Sequence, residues 1–196
     1  MAAAPAADAL TLGLLAGGRG SRLGGVDKAW LERDGVPQVL RFARRFPGET
    51  GPLLVSANAG LQRYADAGLA VVTDRMPEGS GPLAGIHALA AACATPWLLT
   101  LPVDLFDVND CLVRTLASLA AADGAVAEDD DGLQPLVALY RLEPLRGALP
   151  VAIAAGDLSP RGLQRRLGLS QVRLPGVRFG NLNTPQDLAM ARIALP

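Results

Sequence analysis

The chain has 196 residues, 50% of them hydrophobic and 19% charged, with a net charge of −1. This length and composition suit one globular domain with a sizeable core and exclude a disordered polymer. The near-neutral balance lacks the basic surplus of a general nucleic-acid binder but leaves room for a mononucleotide in a local basic pocket.

Residues 1–9 are Ala- and Pro-rich, with neither a basic start nor an apolar core. They read as a disordered tail and not a secretion signal, which leaves 10–196 as a single domain. The apolar run 10–16 reads as a buried strand. It opens into Gly17-Gly18-Arg19-Gly20-Ser21-Arg22-Leu23-Gly24-Gly25-Val26-Asp27-Lys28. Glycines let backbone N–H groups approach phosphate oxygens, and Arg22 and Lys28 add fixed positive charge. The segment predicts a nucleoside triphosphate site, with Lys28 as an exposed loop cation. It is not a P-loop, because Ala29 follows Lys28 where Ser or Thr is needed. Nor is it the dinucleotide fingerprint, because the chain runs on to a turn at Asp34-Gly35 instead of opening a helix.

Beyond that turn, apolar runs alternate with helical patterns. Residues 37–46 predict a helix with Val39, Leu40, Ala43 and Phe46 on its inner face. Strands are expected over 53–57, 69–73 and 97–101, and helices over 61–67, 83–93 and 111–122. Asn109 or Asp110 is the expected cap of the last of these helices. Two strands, 125–127 and 136–140, are joined by the acidic turn Glu128-Asp129-Asp130-Asp131-Gly132. Its consecutive carboxylates cannot converge on one ion, so it reads as a solvated hairpin tip. Helices over 145–155 and 161–167, a strand over 172–174 and a final helix over 185–193 capped by Thr184 complete the series. The alternation implies a mostly parallel sheet covered on both faces, with one antiparallel element from the late hairpin.

Ligands of such sheets bind beyond the carboxyl ends of the strands. Asp104 ends one strand there, and a lone carboxylate beside a phosphate loop is a natural Mg²⁺ ligand. Asp74 ends another. Gly81-Pro82-Leu83-Ala84-Gly85 opens a helix whose N-terminus favours anions. Asn181 and Asn183, at alternate positions, point to one side if extended. The two cysteines, Cys93 and Cys111, read as buried reduced thiols, and the single histidine, His87, as a helix residue and not a catalyst. No apolar run approaches membrane-spanning length, so the expected setting is the cytoplasm, without membrane or nucleic-acid partners.

The full series resembles the molybdenum cofactor guanylyltransferase family of nucleotidyltransferases. The matching residues are Leu15-Ala16-Gly17-Gly18, Arg22, Gly24-Gly25, Asp27-Lys28, Asn58, Asp74, Gly81 to Gly85, Asp104 and Asn181-Leu182-Asn183-Thr184-Pro185. They span nearly the whole chain in the family's order. The resemblance implies a Rossmann-like three-layer α/β sandwich that transfers GMP from GTP to molybdenum-bearing molybdopterin and releases pyrophosphate. It implies that Leu15, Ala16, Gly17 and Gly18 line the guanine and ribose, and that Asn58 and Asp74 contact the nucleoside. Arg22 and Lys28 would hold the phosphates and Asp104 the Mg²⁺. Gly25, Gly81, Gly85, Asn181 and Asn183 would border the place where acceptor phosphate and GTP meet. Partner proteins upstream and downstream in cofactor synthesis are a further implication. Val103, Leu105 and Phe106 depart from the family pattern around Asp104, which keeps a paralogue with another acceptor open. A cytidylyltransferase and a non-catalytic nucleotide-binding module are the competing readings.

Overall fold

The structure, a computed structural model, describes residues 5–18, 24–74, 76–77, 79–120 and 122–193. A 3-10 turn at Ala7–Ala9 leads into β1 (Leu10–Leu15). A second such turn, Lys28–Trp30, precedes a small hairpin of β2 (Glu32–Arg33) and β3 (Val36–Pro37). Then follow α1 (Gln38–Ala43), β4 (Leu53–Ser56), α2 (Leu61–Asp66), β5 (Val71–Val72), α3 (Pro82–Ala92) and β6 (Trp97–Pro102). The second half adds α4 (Leu112–Leu119), β7 (Gly124–Asp129), β8 (Gly132–Arg141), α5 (Leu142–Ala154), α6 (Pro160–Leu167), β9 (Ser170–Arg173) and α7 (Pro185–Met190).

The main sheet has seven strands in the order β5-β4-β1-β6-β8-β7-β9. Neighbours run parallel except at β8, which is antiparallel to both β6 and β7. This is the mostly parallel sheet with one antiparallel element that the alternation implies. Side chains of one strand point alternately to the two faces. Leu99 and Leu101 join a core beneath α1 and α4, while Leu98 joins a core beneath α3, α5 and α6. Val137 and Leu139 face the first core, Ala138 and Tyr140 the second. The result is a three-layer sandwich.

Several expectations need correction. The Asp34-Gly35 turn closes the β2–β3 hairpin, with φ of 54° and 71° at its two central residues. Positive φ at both is what a tight two-residue hairpin demands. The hairpin delays α1 to Gln38, and α1 buries Gln38, Val39 and Phe42; Phe46 is buried beyond its end. At α4 the N-cap is Cys111 without a side-chain cap, so neither Asn109 nor Asp110 caps it. Cys111 is exposed and only Cys93 is buried. The acidic turn is not wholly solvated. Asp129 is 2% exposed and accepts hydrogen bonds from the N–H groups of Phe179 and Asp131 and from Gln134 Nε2, at 2.9–3.0 Å. A buried carboxylate needs such partners. Asp129 thereby anchors the segment that leads on to Asn181 and Asn183. No helix of the described residues is long and apolar enough to cross a membrane.

Candidate active site

The carboxyl ends of β1, β4, β5 and β6 share one rim, because these strands are mutually parallel. The ladder runs on past their ends: Ala16 N–H donates to Ser56 O, Ala57 N–H to Val72 O and Val103 N–H to Leu15 O, at 2.8–3.1 Å. The loops carrying Gly17-Gly18, Asn58, Asp74 and Asp104 are therefore launched from fixed backbone.

Two connected hollows open on this rim. The larger, about 830 Å³, is bordered by Gly17, Gly18, Gly25, Asn58, Asp74 and Gly81, among others. The smaller, about 330 Å³, brings in Leu15, Lys28, Gly85 and Asp104, and both hollows share Ala16, Gly17, Gly18, Asp74 and Gly81. Hollows of this size suit small-molecule ligands. Among the described residues nothing lies within 4 Å of where a Cβ of Gly17 or Gly18 would stand, so their backbone borders the cavity directly. Gly81 is the N-cap of α3 with φ 64°, ψ −158°, a conformation open to glycine, and Pro82 begins the helix. Gly85 has a packing duty as well. A Cβ there would come within 2.8 Å of Leu15 Cδ2 and 3.0 Å of Ser56 Oγ, so its absence seats α3 on the strand ends.

In the larger hollow Asn58 and Asp74 clamp each other. Asn58 Nδ2 donates to Asp74 Oδ2 at 2.5 Å, and the Asp74 N–H donates to Asn58 Oδ1 at 3.1 Å. Among the described residues nothing holds Asp74 Oδ1, which leaves it free to accept from a ligand hydroxyl. Asp27, on the wall, accepts from the Ala29 N–H at 3.0 Å and caps the turn that carries Lys28. Burial pushes its carboxyl up, against the Ala29 hydrogen bond and the charge of Arg63. Arg63 in turn lies over the Trp30 ring at 4.2 Å, pinning that turn to α2.

Beside the smaller hollow, one cluster joins three distant parts of the chain. Lys28 Nζ lies 3.1 Å from Asp104 Oδ2 and donates to Asn183 Oδ1 at 2.5 Å. Lys28 is not the exposed loop cation expected: its side chain is 15% exposed, and that of Asp104 23%. The Asn183 segment is fixed twice. Leu182 N–H donates to Asp104 O at 2.8 Å, beside a bridge between Asn181 and Leu105. Asp187 accepts from the Asn183 and Thr184 N–H groups while Thr184 Oγ1 accepts from Asp187 N–H, a complete capping box. Burial works to raise the Asp187 carboxyl, but these hydrogen bonds and the Lys28 charge outweigh it and hold it below the usual range. Asn183 thus reaches Lys28, whereas Asn181 takes part through its backbone. The sequence reading missed Asn183 as a partner of Lys28, and the alternate spacing of the two amides was its only signal. Arg22, like Arg19, lies outside the described residues.

The model of the MobA-like NTP transferase domain matches residues 13–171. A molybdenum cofactor guanylyltransferase of Cupriavidus necator is 36% identical over 194 residues, covering 93% of this chain and 96% of its own. One of Pseudomonas aeruginosa is 38% identical over 184 residues, covering 91% and 92%. Among solved structures, molybdopterin-guanine dinucleotide biosynthesis protein A of Archaeoglobus fulgidus superposes with a TM-score of 0.68. It is 22% identical and the match covers 92% of this chain and 96% of that one, a likeness of fold.

Proposed function

The chain belongs to the family of MobA-like NTP transferase domains, and on that premise we propose that it transfers GMP from GTP to molybdopterin carrying molybdenum. The terminal phosphate oxygen of the pterin attacks the α-phosphorus of GTP. A new P–O bond forms there, the bond to the β-phosphate breaks, and pyrophosphate leaves. Such a displacement asks the protein chiefly for positioning and charge neutralisation. The observation that carries the reading is the junction of Lys28, Asp104 and Asn183 at the mouth of a glycine-walled hollow.

In this reading the bare backbone of Leu15, Ala16, Gly17 and Gly18 takes the guanine and ribose. Asp74, oriented by Asn58, accepts from ribose hydroxyls. An ammonium has three donors, and Lys28 gives two to Asp104 and Asn183, so the third is free for a phosphate oxygen. Arg22 would add charge on the same loop. Gly25, Gly81, Gly85, Asn181 and Asn183 frame the place where the acceptor phosphate enters.

The residues also fit Mg²⁺. Asp104 is a lone carboxylate already beside a cation, and no group of three or more His, Cys, Asp or Glu gathers into a metal cage among the described residues. Mg²⁺ commonly takes one or two carboxylates with phosphate oxygens and waters, so this donor set suits an ion arriving with the nucleotide. Bound there, it would withdraw charge from the reacting phosphorus. The test is pyrophosphate release with molybdenum-loaded molybdopterin and each of the four nucleoside triphosphates. The reading requires release with GTP and dependence on both Mg²⁺ and the pterin. Release with CTP alone would overturn it in favour of a cytidylyltransferase.

A further inference from the structure

A third hollow, about 430 Å³, lies behind the loop 102–108. That loop is a shared wall: Asp104 borders the active-site hollow, and Leu105, Phe106 and Val108 border this one. Opposite stand the β2–β3 hairpin, with Arg33, and α1 and the turn that follows it, with Arg41, Arg44 and Arg45. Nothing in the proposed transfer uses these four guanidinium groups.

Three of the four are held in advance. Arg33 donates to Phe106 O at 3.0 Å, Arg41 to Arg33 O at 3.3 Å, and Arg45 to Val108 O. Gln38, buried beneath them, donates to Leu105 O at 3.1 Å and ties α1 to the wall. Backbone carbonyls orient a guanidinium without cancelling its charge, and each group has five donors, most of them still unspent. The counter-charges are few. Arg41 has Asp34 at 3.8 Å and Arg45 has Asp110 at 3.0 Å, both acids about three-quarters exposed. Water screens such pairs heavily. Asp107 is a third acid on the lining, also exposed. Among the described residues neither Arg33 nor Arg44 has a carboxylate within ion-pair distance.

We infer that this arginine-walled hollow is a second binding site, for a small phosphate-bearing molecule. Four planar donor forks around one concavity match the several oxygens of a phosphate or pyrophosphate group. The hollow is a concavity of small-ligand size, whereas an acidic protein segment would call for a wider basic face. Buried Leu105 and Phe42 supply an apolar floor on which the organic part of a phosphate ester can rest. The inference stands apart from the transfer reaction, since it uses none of that site's residues.

The test follows the arginine Nε–H signals of the ¹⁵N-labelled full chain by NMR during titration with inorganic pyrophosphate and, separately, with GMP. The backbone amides of Gly17, Gly18 and Gly25 report the active-site hollow in the same spectra, so failure at one site is distinguishable from failure at the other. The expected result is that the signals of Arg33, Arg41, Arg44 and Arg45 move on one saturating curve. Arg44→Gln, which removes no bond of the fold, should weaken that binding about tenfold or more, as loss of one charge-assisted hydrogen bond does. Arg44→Lys should restore part of it. Saturation by GMP at lower concentration than by pyrophosphate would identify an organic phosphate; the reverse order would identify free pyrophosphate. Arginine shifts that never saturate, or an affinity indifferent to Arg44→Gln, would overturn the site. Saturation by a poly-glutamate peptide but by neither phosphate would overturn it in favour of a protein surface.

Discussion

The two halves of the sheet carry different burdens. On the β5-β4-β1-β6 side, strand ends give way to loops whose glycines touch little: among the described residues, a Cβ at Gly17, Gly18, Gly24 or Gly25 would meet nothing within 4 Å. On the β8-β7-β9 side, Tyr140 of the sheet and Leu145, Ala152 and Leu163 of α5 and α6 are fully enclosed where the two layers meet. The first half leaves surface bare to receive a ligand; the second covers its surface to hold the domain together. Side chains in the second half should therefore matter through stability, and those in the first through binding and rate. Asn183 crosses the division: its segment is anchored through Asp129 on the packed side and delivers an amide to Lys28 on the open side.

Leu145→Ala should have the largest effect on stability, about 2–5 kcal/mol, the usual loss when a buried leucine is truncated and a cavity remains. GTP affinity at a temperature where the protein stays folded should not change; a parallel fall in affinity would break the division. Asp104→Asn should do the opposite. Losing the anion while keeping the shape should lower Mg²⁺-dependent turnover by about 10²- to 10³-fold, the scale of removing one preorganised electrostatic group. Its thermal midpoint should fall by no more than about 2–4 °C, the share of the Lys28 ion pair, and parent-like turnover at limiting Mg²⁺ would defeat the assignment.

Lys28→Ala sharpens the boundary, because Lys28 is more enclosed than its glycine-rich neighbourhood implies. A loop cation would be dispensable for folding to within about 0.5 kcal/mol. Tied to Asp104 and Asn183, it should instead contribute about 1 kcal/mol, alongside a loss of GTP binding. Urea titration of parent and variant measures the first, calorimetric GTP titration the second. Gly17→Ala should leave stability alone, since a methyl there has room, and act only through the ligand. If Gly17 borders the base, the ratio of kcat/KM for GTP over CTP should fall by about 10- to 200-fold at most. An unchanged ratio would mean that the base is selected elsewhere on the rim.

The last expected effect is confined to alkaline pH and lies in the packed half. Burial pushes the Tyr140 hydroxyl up to about 12, against the hydrogen bond from Gln164. The unfolded chain ionises this group near 10.0, so the folded state keeps its full stability below that pH and loses it as pH rises towards 12. Tyr140→Phe should flatten that part of the stability profile; an identical slope would place the alkaline loss in other groups.

Much of the fold was legible because its signals are local. Runs such as 10–16 and 97–101 are apolar but for Thr11 and Thr100 because the strands are covered on both faces, and the crossover helices between them follow from parallel pairing. The Thr184 cap, the glycine loop after β1 and the carboxylates at strand ends were readable for the same reason: each depends on a few neighbouring residues. Exposure and partnership were not readable where they depend on distant chain. Asp129 looks like one of a solvated acidic run until Phe179 is brought onto it, 50 positions away. Lys28 looks free until β6, pairing beside β1, sets Asp104 next to it and the Asn181–Leu105 bridge draws in Asn183, 76 and 155 positions along the chain. Arg33, Arg41, Arg44 and Arg45 pass as scattered surface charge until the β2–β3 hairpin folds against α1 and the wall of 102–108 closes the space between them. Periodicity and turn chemistry act over a few residues, so the sequence by itself determined the elements and the kinds of side chain at their ends. Strand order and backbone bridging act over the whole chain, so only the tertiary structure decided which of those side chains meet.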